Sequence, residues 1–127
     1  MGIMRKLNWL KQASNTVKYF NNGKYDEALK SAEYALELAK EEFGEYHANV
    51  VKSLYNLCQL HKTKEEYTIA EDYCLKALKI HENNYGLEDA ELVEDLDNLA
   101  LIYTKMDRLD EVEKIDERIN NIKSKNS

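Results

Sequence analysis

Proline is absent from the 127 residues, and glycine occurs only four times. Loops must therefore be few and short, which favours helix almost throughout. Two cysteines, Cys58 and Cys74, are too few to staple a small secreted scaffold, so a disulfide framework is excluded. No apolar run approaches the length of a signal segment or a membrane span, and the opening Met1-Gly2-Ile3-Met4 meets charge at once in Arg5-Lys6. Lys6 also stands where a myristoylation signal needs a hydroxyl residue. A cytoplasmic location with no membrane partner is the resulting expectation. What is present, 43% hydrophobic and 33% charged residues, suits one water-facing domain over 1–127. A chain of that size buries roughly two-thirds of its extended surface on folding.

Positive charge is the scarcer sign: 18 Lys and Arg against 24 Asp and Glu give a net charge of −6. That balance lacks the general attraction for phosphate on which non-specific nucleic-acid binding depends, so no nucleic acid is expected as a partner. The signs are unevenly spread. Residues 1–25 hold five cations and no acid, whereas residues 85–127 hold six cations and twelve acids. Glu88, Asp89, Glu91, Glu94, Asp95 and Asp97 fall in one short window without a cation. Acids are favoured near a helix N-terminus, so the window is expected to be a solvated helix start; a docking patch for a basic partner is the sharper alternative.

Sliding the chain by 42 residues superposes it on itself. Tyr25, Tyr67 and Leu109 align, as do Ala28, Ala70 and Val112, and Ala35, Ala77 and Ile119. Phe43-Gly44 returns as Tyr85-Gly86, and Leu54-Tyr55-Asn56-Leu57 as Leu96-Asp97-Asn98-Leu99. Each copy carries two helical faces, such as Val50, Leu54, Leu57 and Leu60 followed by Tyr67, Ala70, Cys74 and Ala77. The spacing predicts six antiparallel-paired helices near 4–21, 25–42, 48–63, 66–83, 90–106 and 109–123, and no strand. Gly23, Gly44 and Gly86 fall where left-handed capping residues are wanted, and Asp89 suits an N-cap of the fifth helix. In the last copy Leu109, Val112, Ile115, Ile119 and Ile122 should form one inward stripe, with Asp116 toward water. The larger residues there predict that the array ends with this helix.

Gly23-Lys24-Tyr25-Asp26-Glu27-Ala28-Leu29 with Ala35-Leu36-Glu37-Leu38 resembles the second helix of a tetratricopeptide repeat. The 42-residue period, the Gly44 to His47 opening and the Leu-x-Asn-Leu core resemble the longer repeats of the kinesin light chain type; the proline that often follows that histidine is Ala48 here. The resemblance implies an all-α, right-handed superhelix (an α-α solenoid) of three helix-turn-helix units near 7–44, 48–86 and 90–124.

Four glycines placed at helix ends and the terminus leave none for a phosphate loop. His61 shares a helix face with Cys58, and Cys74 stands on the partner helix, so a Cys-His pair or a zinc site is one reading. Yet Cys58 and Cys74 fill small-residue positions of the repeat, and His61 aligns with Tyr19 and Tyr103. Packing is preferred, and no catalytic residue, metal or cofactor is assigned. Ile3, Met4, Leu7, Trp9 and Leu10 exceed what one neighbour covers and keep homo-oligomerisation open as the alternative, with Trp9 expected in the core or as a cap and not as a docking residue.

The resemblance further implies that the first helix of each unit lines an inner wall that holds an extended segment of a protein or peptide partner. The residues facing it would be Leu10, Ala13, Ser14, Val17 and Phe20, then Tyr55, Asn56, Gln59 and Lys62, then Glu94, Asp97, Asn98 and Leu101. Asn56 and Asn98 could pair with a peptide backbone as donor and acceptor at once, or bond neighbouring helices. In tetratricopeptide domains that grip acidic chaperone tails, cations occupy places taken here by Ala13, Glu94 and Asn98, and only Asn56 agrees. That partner class is not expected.

Overall fold

The computed structural model describes residues 2–127. It contains six helices: α1 (Gly2–Asn21), α2 (Tyr25–Phe43), α3 (Ala48–Thr63), α4 (Tyr67–Tyr85), α5 (Leu92–Lys105) and α6 (Leu109–Lys125). No strand occurs among the described residues. Each helix packs chiefly on its neighbours in sequence, as in a stacked helical solenoid. None of the described helices is long and apolar enough to cross a membrane.

The small residues of the 42-residue register sit at the helix contacts. Ala28, Ala70 and Ala77 are fully enclosed, and Ala35 is nearly so. A larger side chain at any of them would have to displace a neighbouring helix. In α6 the same register carries Val112 and Ile119, the latter buried with Ile115 and Ile122. Leu109 departs from the expected stripe and is 61% exposed. Its counterpart Tyr25 reaches back to the Phe20 ring, 5.6 Å between centroids, and a leucine at the first residue of the helix is too short for that.

The turns inside the pairs repeat with the same period. Gly23, Glu65 and Asp107, each 42 residues from the next, all take positive φ (74°, 61° and 57°). At each, the following N–H reaches back five residues: Lys24 to Tyr19, Glu66 to His61 and Arg108 to Tyr103, at 2.8–2.9 Å. This is the Schellman ending of a helix, and in two of three cases a non-glycine bears it. Gly44 and Gly86 are not left-handed helical caps as expected. With φ 91°, ψ 157° and φ 93°, ψ 168°, they occupy a region open in practice to glycine alone. Asp89 is not the N-cap of α5 as expected: that place is Glu91, without a side-chain cap, and Asp89 Oδ1 instead accepts from the Glu91 N–H at 2.9 Å in the turn ahead of the helix. The chain then tightens through three-residue-spaced bonds, so the helix proper begins at Leu92.

Candidate functional site

In the 42-residue register, α1, α3 and α5 present matching columns. Ser14, Asn56 and Asn98 form one, Val17, Gln59 and Leu101 a second, and Leu10, Lys52 and Glu94 a third. Ser14, Val17, Gln59, Glu94, Asp97 and Leu101 are exposed, while Phe20, Asn56, Lys62 and Asn98 are half-buried. Val17, Phe20, Asn56 and Gln59 meet with Thr16 and Leu60 in a narrow cleft of about 70 Å³ between α1 and α3. Leu10 and Val17 expose about half of their surface, and Leu101 does likewise on α5. Charge changes along the wall, from Lys52 and Lys62 on α3 to Glu94 and Asp97 on α5. Tyr55 stands apart from the other assigned residues. Its hydroxyl is enclosed without a hydrogen-bond partner, and its ring packs against the core around Ala77 and Ile80.

The outer faces of the first and last helices are polar over their middle turns, while Ile3, Met4 and Leu7 at the start of α1 are exposed. The positions of α3 buried by α2, Val50, Ser53, Leu57 and Leu60, correspond in α1 to Asn8, Lys11, Asn15 and Lys18. On α6 the corresponding outward positions are Asp116, Asn120 and Lys123, all exposed. Trp9 points the other way and is buried, its Nε1–H donating to Ser53 Oγ at 3.3 Å and its ring set edge-on to Phe43.

The histidines and cysteines are engaged in packing. His61 is buried, its Nδ1 lies 3.0 Å from Glu66 Oε1, and its ring stacks on Tyr73. That contact holds the Glu66 carboxyl below the usual range. Cys58 and Cys74 are both buried and free, and the Cys74 thiol is pushed well up by its hydrogen bond to Cys58 and by burial. No group of three or more His, Cys, Asp or Glu is gathered in a metal-holding arrangement among the described residues. His47 caps α3, its Nδ1 accepting from the Asn49 N–H at 3.0 Å.

One member of the acidic window overturns the expectation of a solvated helix start. Asp95 is 1% exposed, because it shares the inner face of α5 with Leu92, Leu96 and Leu99. Its Oδ2 lies 2.6 Å from His81 Nδ1 on α4. Burial raises the Asp95 carboxyl to about 7 and, acting against the nearby Glu91 and Glu94, lowers the His81 imidazole. A single proton shared across this pair ties α4 to α5. The signal lay in the repeat register, where His81 and Asp95 replace Ala39 and Ser53.

Residues 50–91 match the model of a tetratricopeptide repeat family. Among solved structures, BtubC (BKLC) from P. vanneervenii is similar over 95% of this chain and 48% of its own, with 23% identity and a TM-score of 0.83. The TPR domain of Arabidopsis FLU is similar over 94% and 98%, with 20% identity and a TM-score of 0.79. A putative kinesin light chain of Podosopora anserina with nearly identical TPR-like repeats matches over 92% and 55%, at 17% identity and a TM-score of 0.75. The chain thus spans about half the length of the first and third of these. None of the curated proteins matches the sequence.

Proposed function

We propose, starting from a chain built of tetratricopeptide repeats, that it is a non-enzymatic, cytoplasmic binding scaffold whose α1–α3–α5 wall holds an extended segment of a protein partner. Folds of this kind serve in general as protein-interaction modules. The observation that carries the proposal is the distribution of exposed apolar surface. Leu10, Val17 and Leu101 stand exposed on the wall itself beside the Asn56 and Asn98 amides, while the other exposed apolar residues of α1, Ile3, Met4 and Leu7, are confined to its first turns. Asn56 and Asn98 would pair with the partner's backbone, while Val17, Phe20 and Leu101 would sort its side chains. Ser14, Gln59 and Lys62 complete the wall, and Glu94 and Asp97 favour a basic residue at the α5 end.

Losing an amide that pairs with an enclosed backbone group costs on the order of 1–3 kcal/mol. Asn56→Ala with Asn98→Ala should weaken partner binding at least about tenfold, measured by calorimetry, while thermal melting stays near the parent. Normal binding by this double variant, together with loss of binding in the α6 surface variant Glu113→Lys, would overturn the groove assignment.

A further inference from the structure

A second concavity lies away from the wall, between α2 and α4 over the start of α3. Its volume is about 280 Å³, and Val50, Leu54 and Ile80 form an apolar floor. That is below the usual size of a cofactor pocket and suits side chains. Lys40, Lys76 and Lys79 rim it, with Glu45 as the one acid in the lining. Three lysines converging on an apolar floor are unexpected in a chain of net charge −6.

The corresponding place one repeat later shows what is missing. Lys40 becomes Glu82 and Lys76 becomes Arg118, and these two pair at 2.7 Å. The same Arg118 also donates to the Leu87 carbonyl at 3.1 Å. Opposite charges bridge the later cleft, and like charges keep the earlier one unbridged. Lys76 has Asp72 four residues back at 3.1 Å, which leaves Lys40 and Lys79 without an ion-pair partner among the described residues. The group that satisfies the later site is a carboxylate, joined by a backbone carbonyl.

The chain presents such a group on the same edge. Leu87 is 65% exposed in the α4–α5 connection and is followed by the exposed Glu88 and Glu91, of which Glu88 holds a surface ion pair to Lys125 that a docked lysine would replace. This tip is held in shape by Arg118 on the Leu87 carbonyl and by Asn126 on the Glu88 carbonyl, so little ordering is lost when it docks. We propose that a second copy of this chain occupies the Lys40–Lys79 cleft, its Leu87 against Val50, Leu54 and Ile80 and its Glu88 and Glu91 against the lysines. Cleft and tip border successive helix-pair connections on one edge. A two-fold axis between them serves both clefts and closes the assembly as a dimer. The α1–α3–α5 wall stays free, so this contact is independent of the groove function.

Light scattering over a concentration series up to about 1 mM tests the proposal. The mass should move toward twice that of the monomer, and added salt should reverse the change. Lys40→Glu with Lys79→Glu should raise the dissociation constant at least about tenfold, and so should Glu88→Lys with Glu91→Lys. Mixing these two variants should restore association, because every cleft then meets a tip of opposite charge. Circular dichroism melts check that each variant is folded. A monomer mass at every concentration overturns the proposal, as does a dimer that neither charge set weakens, or a mixture no tighter than its components.

Discussion

The two seams of the array, α2 against α3 and α4 against α5, occupy the same register and are held by different chemistry. At the first, Ala39 and Ser53 face each other, and the buried hydroxyl of Ser53 receives the Trp9 indole N–H from α1. At the second, His81 and Asp95 take those positions and bond directly, while Val51, the counterpart of Trp9, contributes only apolar contact. The first seam is therefore a packing contact that draws on three helices, and the second is a polar clasp between two. The lesson is that a repeat conserves where its elements meet and leaves open how the contact is satisfied.

The largest expected effect is at the first seam. Trp9→Ala should cost about 3–5 kcal/mol, because it removes a buried ring from Phe43 and strands the Ser53 hydroxyl. Chemical denaturation read by circular dichroism would measure it. Equal loss at both seams, seen by amide exchange, would contradict a contribution local to α1–α3.

A smaller effect is expected from the polar clasp. His81→Ala and Asp95→Ser should each cost about 1–3 kcal/mol, since either leaves a partner unpaired. The double variant rebuilds the pairing of the first seam and should cost less than the sum of the singles. The clasp also carries a pH dependence. Asp95 binds its proton more tightly folded, near 7, than unfolded, near 3.8. Its contribution is thus full below about 4 and is lost as pH rises through about 7. His81, with its folded affinity lowered, acts in the opposite direction just below its ordinary value of 6.5. Melting curves from pH 4 to 8 should show a decline attributable to Asp95, and Asp95→Asn should abolish that component. An unchanged profile in the variant would exclude it.

The smallest effect separates the turns. Gly23 meets its positive φ without cost, whereas Glu65 and Asp107 hold theirs against a side chain. Glu65→Gly and Asp107→Gly should each stabilise by up to about 1 kcal/mol, and Gly23→Ala should destabilise by a similar amount. Thermal melts of the three variants are sufficient to compare them.

Much of this architecture was legible in the residues. The 42-residue register placed the helices within two residues of their observed ends, because alanines 28, 35, 70 and 77 mark the close contacts and the apolar period marks the faces. Asp95 was hidden by its sequence neighbours. Five of the six acids in its window are not buried, and only its phase with Leu92, Leu96 and Leu99 distinguishes the sixth. The turn conformations of Glu65 and Asp107 were obscured because neither residue signals a left-handed backbone. The Lys40–Lys79 cleft depends on three elements converging. Even so, comparing position 40 with 82 and 76 with 118 exposes like charges at one seam and opposite charges at the other. The wall assigned to partner binding was readable from the register, whereas the inward turn of the Tyr55 hydroxyl required packing geometry.

The side-chain amides at the ends of α4 and α6 bear on the order in which the array comes apart. Asn84 donates to the Tyr46 carbonyl and Asn126 to the Glu88 carbonyl, each across 38 residues. Each bond ties the last turn of a helix pair to the connection from which that pair begins. The first pair carries Glu42 and Met4 at those positions and has no such tie. Opening should then proceed as an unzipping from α1, with backbone amides of α1 and α2 exchanging with solvent before those of the two closed loops behind them.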